Sequence, residues 1–393
     1  MKKSKYGWLV LLAFALVAGA NQMLWLNFAP ILTVVQEKYG VSEIMANSLL
    51  LVFPIAYVIL GVPAGLLIDK KGYRLVISLA AIFMSISAGL RIFDSSFWMV
   101  FAGQVGIAVS QPFIVNGISK LVADWYEKQH RALANGLGTV GLIIGMAFSM
   151  AITPALIQGT EIHNAMIIFA IITAATSLFF ILVARETGAS MGMATAGSWS
   201  EIGTLLKQRN LVLIFIVSFL ALGFFNSFTN WIDLILAQQG FNTDQVGLIG
   251  GLMILSGIFG SAIIPSLSDV AQRRKPFLIG CGIMATILVY PLARGNNETI
   301  AIILACLFGA LVLPAFALLL TMSEEDAGPE KAGAATGFLM LAGNAGTVII
   351  TVLMDKVRVE KDWLNSIYVL LVVIVLATIF AFTVRETFRK NHS

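Results

Sequence analysis

The residues able to do chemistry in this sequence are amides, aromatics and one carboxylate, all set inside long apolar runs. Gly223, Asn226, Asn230 and Asp233 recur at three- or four-residue spacing. They therefore share one face of any helix that carries them. Phe224, Phe225, Phe228 and Trp231 surround them. Gln22 and Trp25 stand one turn apart, with Asn21 and Asn27 nearby. Gln104 and Gln111 stand two turns apart, with Pro112 following and Asn116 beyond. Asn344 lies among small residues, Ala342-Gly343 and Ala345-Gly346. No nucleophile with its base, phosphate loop or metal-ligand spacing accompanies them, so no enzyme, cofactor or metal is implied. Amides and ring faces suit a different task, the holding of a neutral or positively charged solute. The competing reading of each amide is a hydrogen bond between helices, away from any ligand. For Asp233 the choice lies between a cavity carboxylate and a solvated helix end. At ~1.5 Å per residue it stands roughly 30 Å from the start of its run.

The elements that must position these groups are membrane helices. Hydrophobic residues make up 58% of the chain and charged residues 12%, where about 25% charge is usual for a soluble domain. The net charge of +4 is spread over short loops rather than gathered in a patch, which argues against nucleic acid as a partner. The expected partners are a lipid bilayer and a small-molecule substrate, and the expected state is a monomer. Cys281 and Cys306 fall inside apolar runs and read as small core residues. The N-terminus imitates a signal peptide, with Lys2, Lys3, Lys5, an apolar run and Ala18-Gly19-Ala20. The run continues through Trp25, Phe28 and Ile31, too far for a cleaved leader, so it reads as the first span.

Runs long enough to cross a bilayer recur twelve times, at 7–35, 44–68, 74–93, 97–122, 131–158, 163–184, 209–238, 246–269, 275–294, 299–322, 330–355 and 363–385. The longest connection, 187–208, is rich in small and polar residues and reads as a linker. Placing both termini and the even-to-odd loops in the cytoplasm puts there all but six of the 25 Lys and Arg, the six being Lys38, Arg91, Arg294, Lys356, Arg358 and Lys361. That bias fixes the expected orientation in a cell membrane. The chain also repeats at an offset of about 200 residues. Arg185-Glu186-Thr187 recurs as Arg385-Glu386-Thr387, and Asp69 with Arg74 recurs as Asp269 with Arg274. The expected architecture is all-α: two six-helix halves, 1–186 and 209–393, joined by the linker. Span five carries Gly141, Gly145, Ser149 and Thr153 at four-residue spacing, a stripe on which another helix can pack closely.

On these spans every Lys and Arg falls in a loop or near a helix end. Asp233 is the one acid of 21 that does not. An organic-anion carrier would place a cation at mid-depth to pair its substrate. The expected substrate is therefore neutral, zwitterionic or cationic. A proton-coupled carrier would have to rely on Asp233 alone.

Residues 61–74, GVPAGLLIDKKGYR, read Gly-x₃-Gly-x₃-Asp-x₂-Gly-x-Arg between spans two and three. The pattern resembles the signature loop of the major facilitator superfamily. That resemblance implies alternating access, with the two halves rocking around a central site. It makes Asp69, Arg74 and Arg131, with the repeats Asp269 and Arg274, candidates for a cytoplasmic gate. In the second copy Pro265 and Gln272 replace Gly65 and Gly72, so the gate is expected to be stronger in the first half.

A closer resemblance lies in residues 21–28, NQMLWLNF, and 110–126, SQPFIVNGISKLVADWY. These are similar to spans one and four of the feline leukaemia virus subgroup C receptor-related branch of that superfamily. The resemblance implies transport of choline and ethanolamine, with haem also proposed as a cargo. It places Trp25 and Gln111 at cavity positions and Asn344 where the family has a second glutamine. Asn226 falls where the family has a cavity tyrosine, which weakens an aromatic cage unless Trp231 or Phe225 replaces it. Together with Gln22, Asn230 and Asp233, read from the spans themselves, the candidate binding set is Gln22, Trp25, Gln111, Asn226, Asn230, Trp231, Asp233 and Asn344. Facilitated uptake of a small amine then stands beside proton-coupled carriage of a neutral or weakly charged metabolite or drug, and beside haem export.

Overall fold

The structure is a computed structural model that describes residues 2–157, 161–187, 203–328, 331–359 and 362–388. Among these residues twelve helices are long and apolar enough to cross a membrane. They are Lys5–Tyr39, Glu43–Lys71, Tyr73–Leu90, Phe97–Trp125, Leu133–Ile152 and His163–Val183, then Arg209–Ala237, Thr243–Val270, Lys275–Arg294, Glu298–Ala327, Ala332–Val357 and Leu364–Thr383. We number them spans one to twelve. The chain divides into two compact units, Met1–Ala196 and Gly197–Ser393. Most of the expected linker lies outside the described residues.

Three spans are interrupted, and each break has a local cause. Span one is helical over Lys2–Leu26, tightens to a 3₁₀ turn at Ala29–Ile31 and resumes at Leu32–Tyr39. Pro30, which offers no N–H to the ladder, sits in that turn. Span four breaks at Asn116, four residues after Pro112, between Phe97–Val115 and Gly117–Trp125. Span ten breaks at Leu313, immediately before Pro314, between Glu298–Val312 and Pro314–Ala327. The breaks in four and ten fall at nearly equivalent places of the repeat. Span seven, the repeat of span one, runs unbroken.

Within the first unit span one packs on span five, and within the second span seven packs on span eleven. The small residues make this approach possible. A methyl on Gly19 would stand 2.7 Å from the Gly141 carbonyl oxygen, and one on Gly223 would stand 2.7 Å from the Gly346 carbonyl carbon. The stripe in span five is thus a packing surface. Leu79, Ile86, Leu182, Phe259 and Phe382 point outward. Such exposure is unfavourable in water but natural against lipid.

Two charges near helix ends are buried. Lys120 lies in the helix Gly117–Trp125 at the end of span four, almost wholly enclosed, with its ammonium 3.5 Å from Asp69. Arg91 caps span three and is 1% exposed. Trp363, which begins span twelve and reads from sequence as an interface anchor, is instead buried against Trp231.

Candidate functional site

The first unit holds one cluster of the expected residues. Trp25 is buried on the last turn before span one breaks. Its indole N–H donates to the Leu50 carbonyl at 3.1 Å, and its ring stacks on Phe53 with centroids 5.9 Å apart and planes 24° apart. Gln22, one turn earlier, donates to the Asn21 side-chain oxygen at 3.3 Å. Asn21 in turn reaches the Ile107 carbonyl at 3.4 Å. Gln104 serves as a tie, donating to the carbonyls of Leu24 and Leu49 at 3.0 Å each and so fixing spans one, two and four together. Gln111 differs from these. Its amide makes no hydrogen bond within the described residues, although the residue is only 5% exposed.

Sequence reasoning missed two neighbours of this cluster. Phe53 supplies the second ring, and nothing in its spacing distinguishes it from the apolar run around it. Tyr57 donates to the Asn116 side-chain oxygen at 2.6 Å, while Asn116 donates to the Gly61 carbonyl at 2.9 Å. These bonds tie the break in span four to the start of the signature sequence.

In the second unit the expected residues are more fully committed. Asn226 is partly buried and donates to the Thr347 hydroxyl at 3.1 Å. Ser227 meets the Thr351 hydroxyl at 2.8 Å, and the Trp231 N–H donates to the Thr351 carbonyl at 3.1 Å. The polar face of span seven thus zips onto span eleven. Trp231 is fully enclosed, its ring 4.7 Å from that of Trp363. Asn344 donates to the Met340 carbonyl of its own helix at 2.8 Å. Asn230 is buried, and Asp233 is 1% exposed, so the solvated helix end is not where this carboxylate sits. Phe224, Phe225 and Phe228 converge on Phe308 of span ten, with centroids 5.8, 6.1 and 5.4 Å away.

The gate candidates lie at the signature-loop end of each unit. Asp69 pairs with Lys120 across spans two and four. Lys120 and Asp124 stand four residues apart in an otherwise apolar segment, a spacing that could have revealed both. Arg131 donates to the carbonyls of Tyr126 and Ala123 at 3.0 and 3.1 Å. Arg74 has an exposed side chain, and it is its backbone N–H that meets Glu186 at 2.9 Å. Its repeat, Arg274, is buried instead. That guanidinium reaches Asp269 at 2.5 Å, Glu325 at 3.1 Å and the Ser268 hydroxyl at 2.7 Å.

Twelve apolar helices among the described residues, in two compact units with polar clusters in their interiors, make this a polytopic membrane protein. The Major Facilitator Superfamily model matches residues 11–351, and the chain belongs to that family. An uncharacterised protein of Archaeoglobus fulgidus is 32% identical over 49% of this chain and 87% of its own length. The rat choline/ethanolamine transporter FLVCR2 is 24% identical over 91% of this chain and 70% of its own, so the branch that residues 21–28 and 110–126 resemble is among the relatives. A bacterial homologue of the human lysosomal transporter Spinster, solved by crystallography, shares the fold with a TM-score of 0.78 over 99% of both chains at 16% identity.

Proposed function

We propose that this transporter carries a small amine or quaternary ammonium, such as choline, by facilitated transport through alternating access. The observation that carries the reading is the Trp25 ring stacked on Phe53, and the Gln111 amide, which makes no hydrogen bond within the described residues, adds to it. An ammonium over an aromatic face gains about 0.5–2 kcal/mol, and an open amide accepts or donates to a hydroxyl. The choline/ethanolamine transporter FLVCR2 adds weight as a relative at low identity. In this reading Gln22, Trp25 and Gln111 are the binding candidates of the first unit, and Asn226 and Asn344 are those of the second. Asn230 and Trp231 support the helix packing behind them. The termini face the cytoplasm and the protein works as a monomer. Asp69, Arg74, Arg131, Asp269 and Arg274 gate the cytoplasmic side, with Lys120 added as the partner of Asp69. Asp69→Asn is then expected to slow transport more than it weakens binding.

Choline uptake into proteoliposomes tests this, with wild type beside Trp25→Ala and with and without a pH gradient. The expected result is saturable uptake, indifferent to pH and reduced at least about tenfold in Trp25→Ala. Absence of uptake would discard the amine. A second reading, proton coupling, rests on the burial of Asp233, because an enclosed carboxylate in a membrane helix is expensive and usually functional. Uptake driven by a pH gradient and lost in Asp233→Asn would favour it.

A further inference from the structure

Span nine carries two glycines that differ in purpose. A methyl on Gly282 would collide with Thr378 of span twelve, so that glycine permits a close approach. A methyl on Gly280 would meet nothing within 4 Å. Glycine inside a helix is costly beside alanine, and no neighbour requires this one. Gly280 instead lines an open groove of about 370 Å³ on the second unit. Phe277, Cys281 and Met284 line it from the same span, Ile264 from span eight and Leu311 from span ten. Residues 277, 280, 281 and 284 share one face of the helix. None of the residues that line the groove carries a charge or an amide. It begins at Pro276, exposed in the first turn of span nine, and follows the helix to Met284, a length of ~12 Å.

Ile263, Ile283, Ile287 and Leu307, on the same three spans, are exposed. Apolar side chains laid bare in this way face lipid. An unfilled apolar groove forfeits dispersion contacts on its open side, and a bilayer offers hydrocarbon chains that restore them. The charges at the mouth of the groove select among lipids. Arg273, Arg274 and Lys275 immediately precede Pro276. Arg274 is answered by Asp269 and Glu325. Glu386 is occupied by the backbone N–H groups of Arg274 and Lys275. The Lys275 ammonium donates to the Phe382 carbonyl at 2.7 Å and forms no ion pair among the described residues. Arg273 is exposed, with neither an ion pair nor a side-chain hydrogen bond among them. Basic side chains at a membrane surface attract anionic lipid.

We propose that the groove between spans eight, nine and ten holds one acyl chain of an anionic phospholipid, with the lipid phosphate at Arg273 and Lys275. Gly280 keeps the path of the chain open. The apolar length of the groove retains the lipid, and the two cations choose its headgroup. None of the residues named for the amine lines this groove, so either proposal can fail without the other.

The test uses the full chain purified in detergent and titrated with phosphatidylglycerol, phosphatidylcholine or glycerol 3-phosphate, with bound molecules counted by native mass spectrometry. The expected result is one retained phosphatidylglycerol per chain, held at least about fivefold more tightly than phosphatidylcholine, the factor for a basic side chain at the surface. Glycerol 3-phosphate, which has the charge but no chain, should not bind. Gly280→Leu fills the groove and should weaken both lipids about tenfold, as the loss of two buried methylenes would. Arg273→Gln should remove most of the preference for phosphatidylglycerol and leave phosphatidylcholine unchanged. Should Gly280→Leu fail to fold, Met284→Trp blocks the same groove. Equal retention of the two lipids by wild type would overturn the proposal and leave only unselective contact with the bilayer. Phosphatidylglycerol held undiminished in the filled groove would place the chain elsewhere and overturn it equally. Glycerol 3-phosphate bound as tightly as the lipid would overturn it too, in favour of a site for the phosphate alone.

Discussion

At the signature-loop end of each unit a glutamate caps a helix. Glu186 accepts from the Arg74 N–H, and Glu386 accepts from the N–H groups of Arg274 and Lys275. The next residue closes the same circuit in both: Thr187 binds Asp124, and Thr387 binds Glu325. The backbone logic is therefore shared. The side chains then part company. In the second unit Arg274 turns inward and carries the positive charge itself. In the first, Arg74 turns outward and Lys120 of span four supplies the charge that meets Asp69. The interiors differ in the same manner. Span seven spends its polar face on span eleven, whereas in the first unit Trp25 of span one lies beside Phe53 and Gln111 of span four makes no hydrogen bond within the described residues. A repeat can thus conserve the position of a charge or an amide while changing whether it is free to meet a ligand.

The sharpest way to break this comparison is to truncate the two tryptophans. Trp231→Ala empties a fully enclosed site and removes the bond to Thr351, so a loss of ~3–5 kcal/mol is expected. Whatever folded protein remains should take up choline with an unchanged KM. Trp25→Ala should give the opposite pattern, with a modest change in unfolding midpoint and a large change in transport. Thermal unfolding in detergent beside uptake per folded molecule checks both. Identical behaviour of the two variants would erase the distinction between a lining and a packing tryptophan.

The arginines come next. Arg274→Ala strands Glu325 and Asp269, whose side chains are 25% and 59% exposed. Solvent reaches both, so the loss should be about 2 kcal/mol, below the 3–5 typical of a fully buried pair. Arg74→Ala should stay within about 0.5 kcal/mol, as exposed substitutions do. The same unfolding assay decides, and equal losses would mean that the outward Arg74 has a partner as strong as that of Arg274. The packing glycines, by contrast, should behave alike. Gly145→Ala meets the Gly19 backbone, and Gly346→Ala meets that of Phe219. Each is expected to cost about 1–3 kcal/mol through overpacking, and a large difference between them would show that one unit is the more tightly assembled.

Much of the architecture was legible because membrane helices write themselves in hydropathy. The twelve runs, the repeat and the small-residue stripe each depend on residue type alone. The site was legible only in part, because an amide in an apolar run looks the same whether its partner is a ligand or a helix. Asn226 and Gln111 carry equivalent signals. Only the fold shows that Thr347 stands opposite the first and that none of the described residues hydrogen-bonds the second. The enclosure of Lys120 and Arg91 was not legible for a related reason. Each lies near a helix end, where a long side chain usually reaches water, and the neighbours that enclose them come from spans distant in sequence. Trp363 failed likewise, since an interface position in one helix is an interior position once Trp231 packs over it.

The smallest expected effect concerns the opposite end of the two units, where the repeat exchanges charges. Asp94 is clasped by Lys38 and His163 in the first unit, and Arg294 stands 3.9 Å from Asp362 in the second. Burial pushes the Asp94 carboxyl up, but hydrogen bonds from Lys38 and His163 and their charges outweigh it and hold its pKa below the ordinary value. A carboxyl depressed on folding stabilises above its unfolded pKa of about 3.9, and that stability is lost as pH falls through the lower folded value. Wild type and Asp94→Asn should therefore differ by no more than about 1 kcal/mol near pH 6, the range of a partly solvated ion pair. The difference should shrink below about pH 4 as the wild-type carboxyl takes up its proton. Asp362 is also held below its ordinary value, chiefly by the Leu364 N–H, but it lies in solvent and its arginine is distant. Asp362→Asn should consequently show no resolvable pH-dependent loss. Unfolding midpoints of the three proteins between pH 3 and 7 read this directly. A gap for Asp94→Asn that persists unchanged at pH 3 would trace its effect to lost packing and not to the charged clasp.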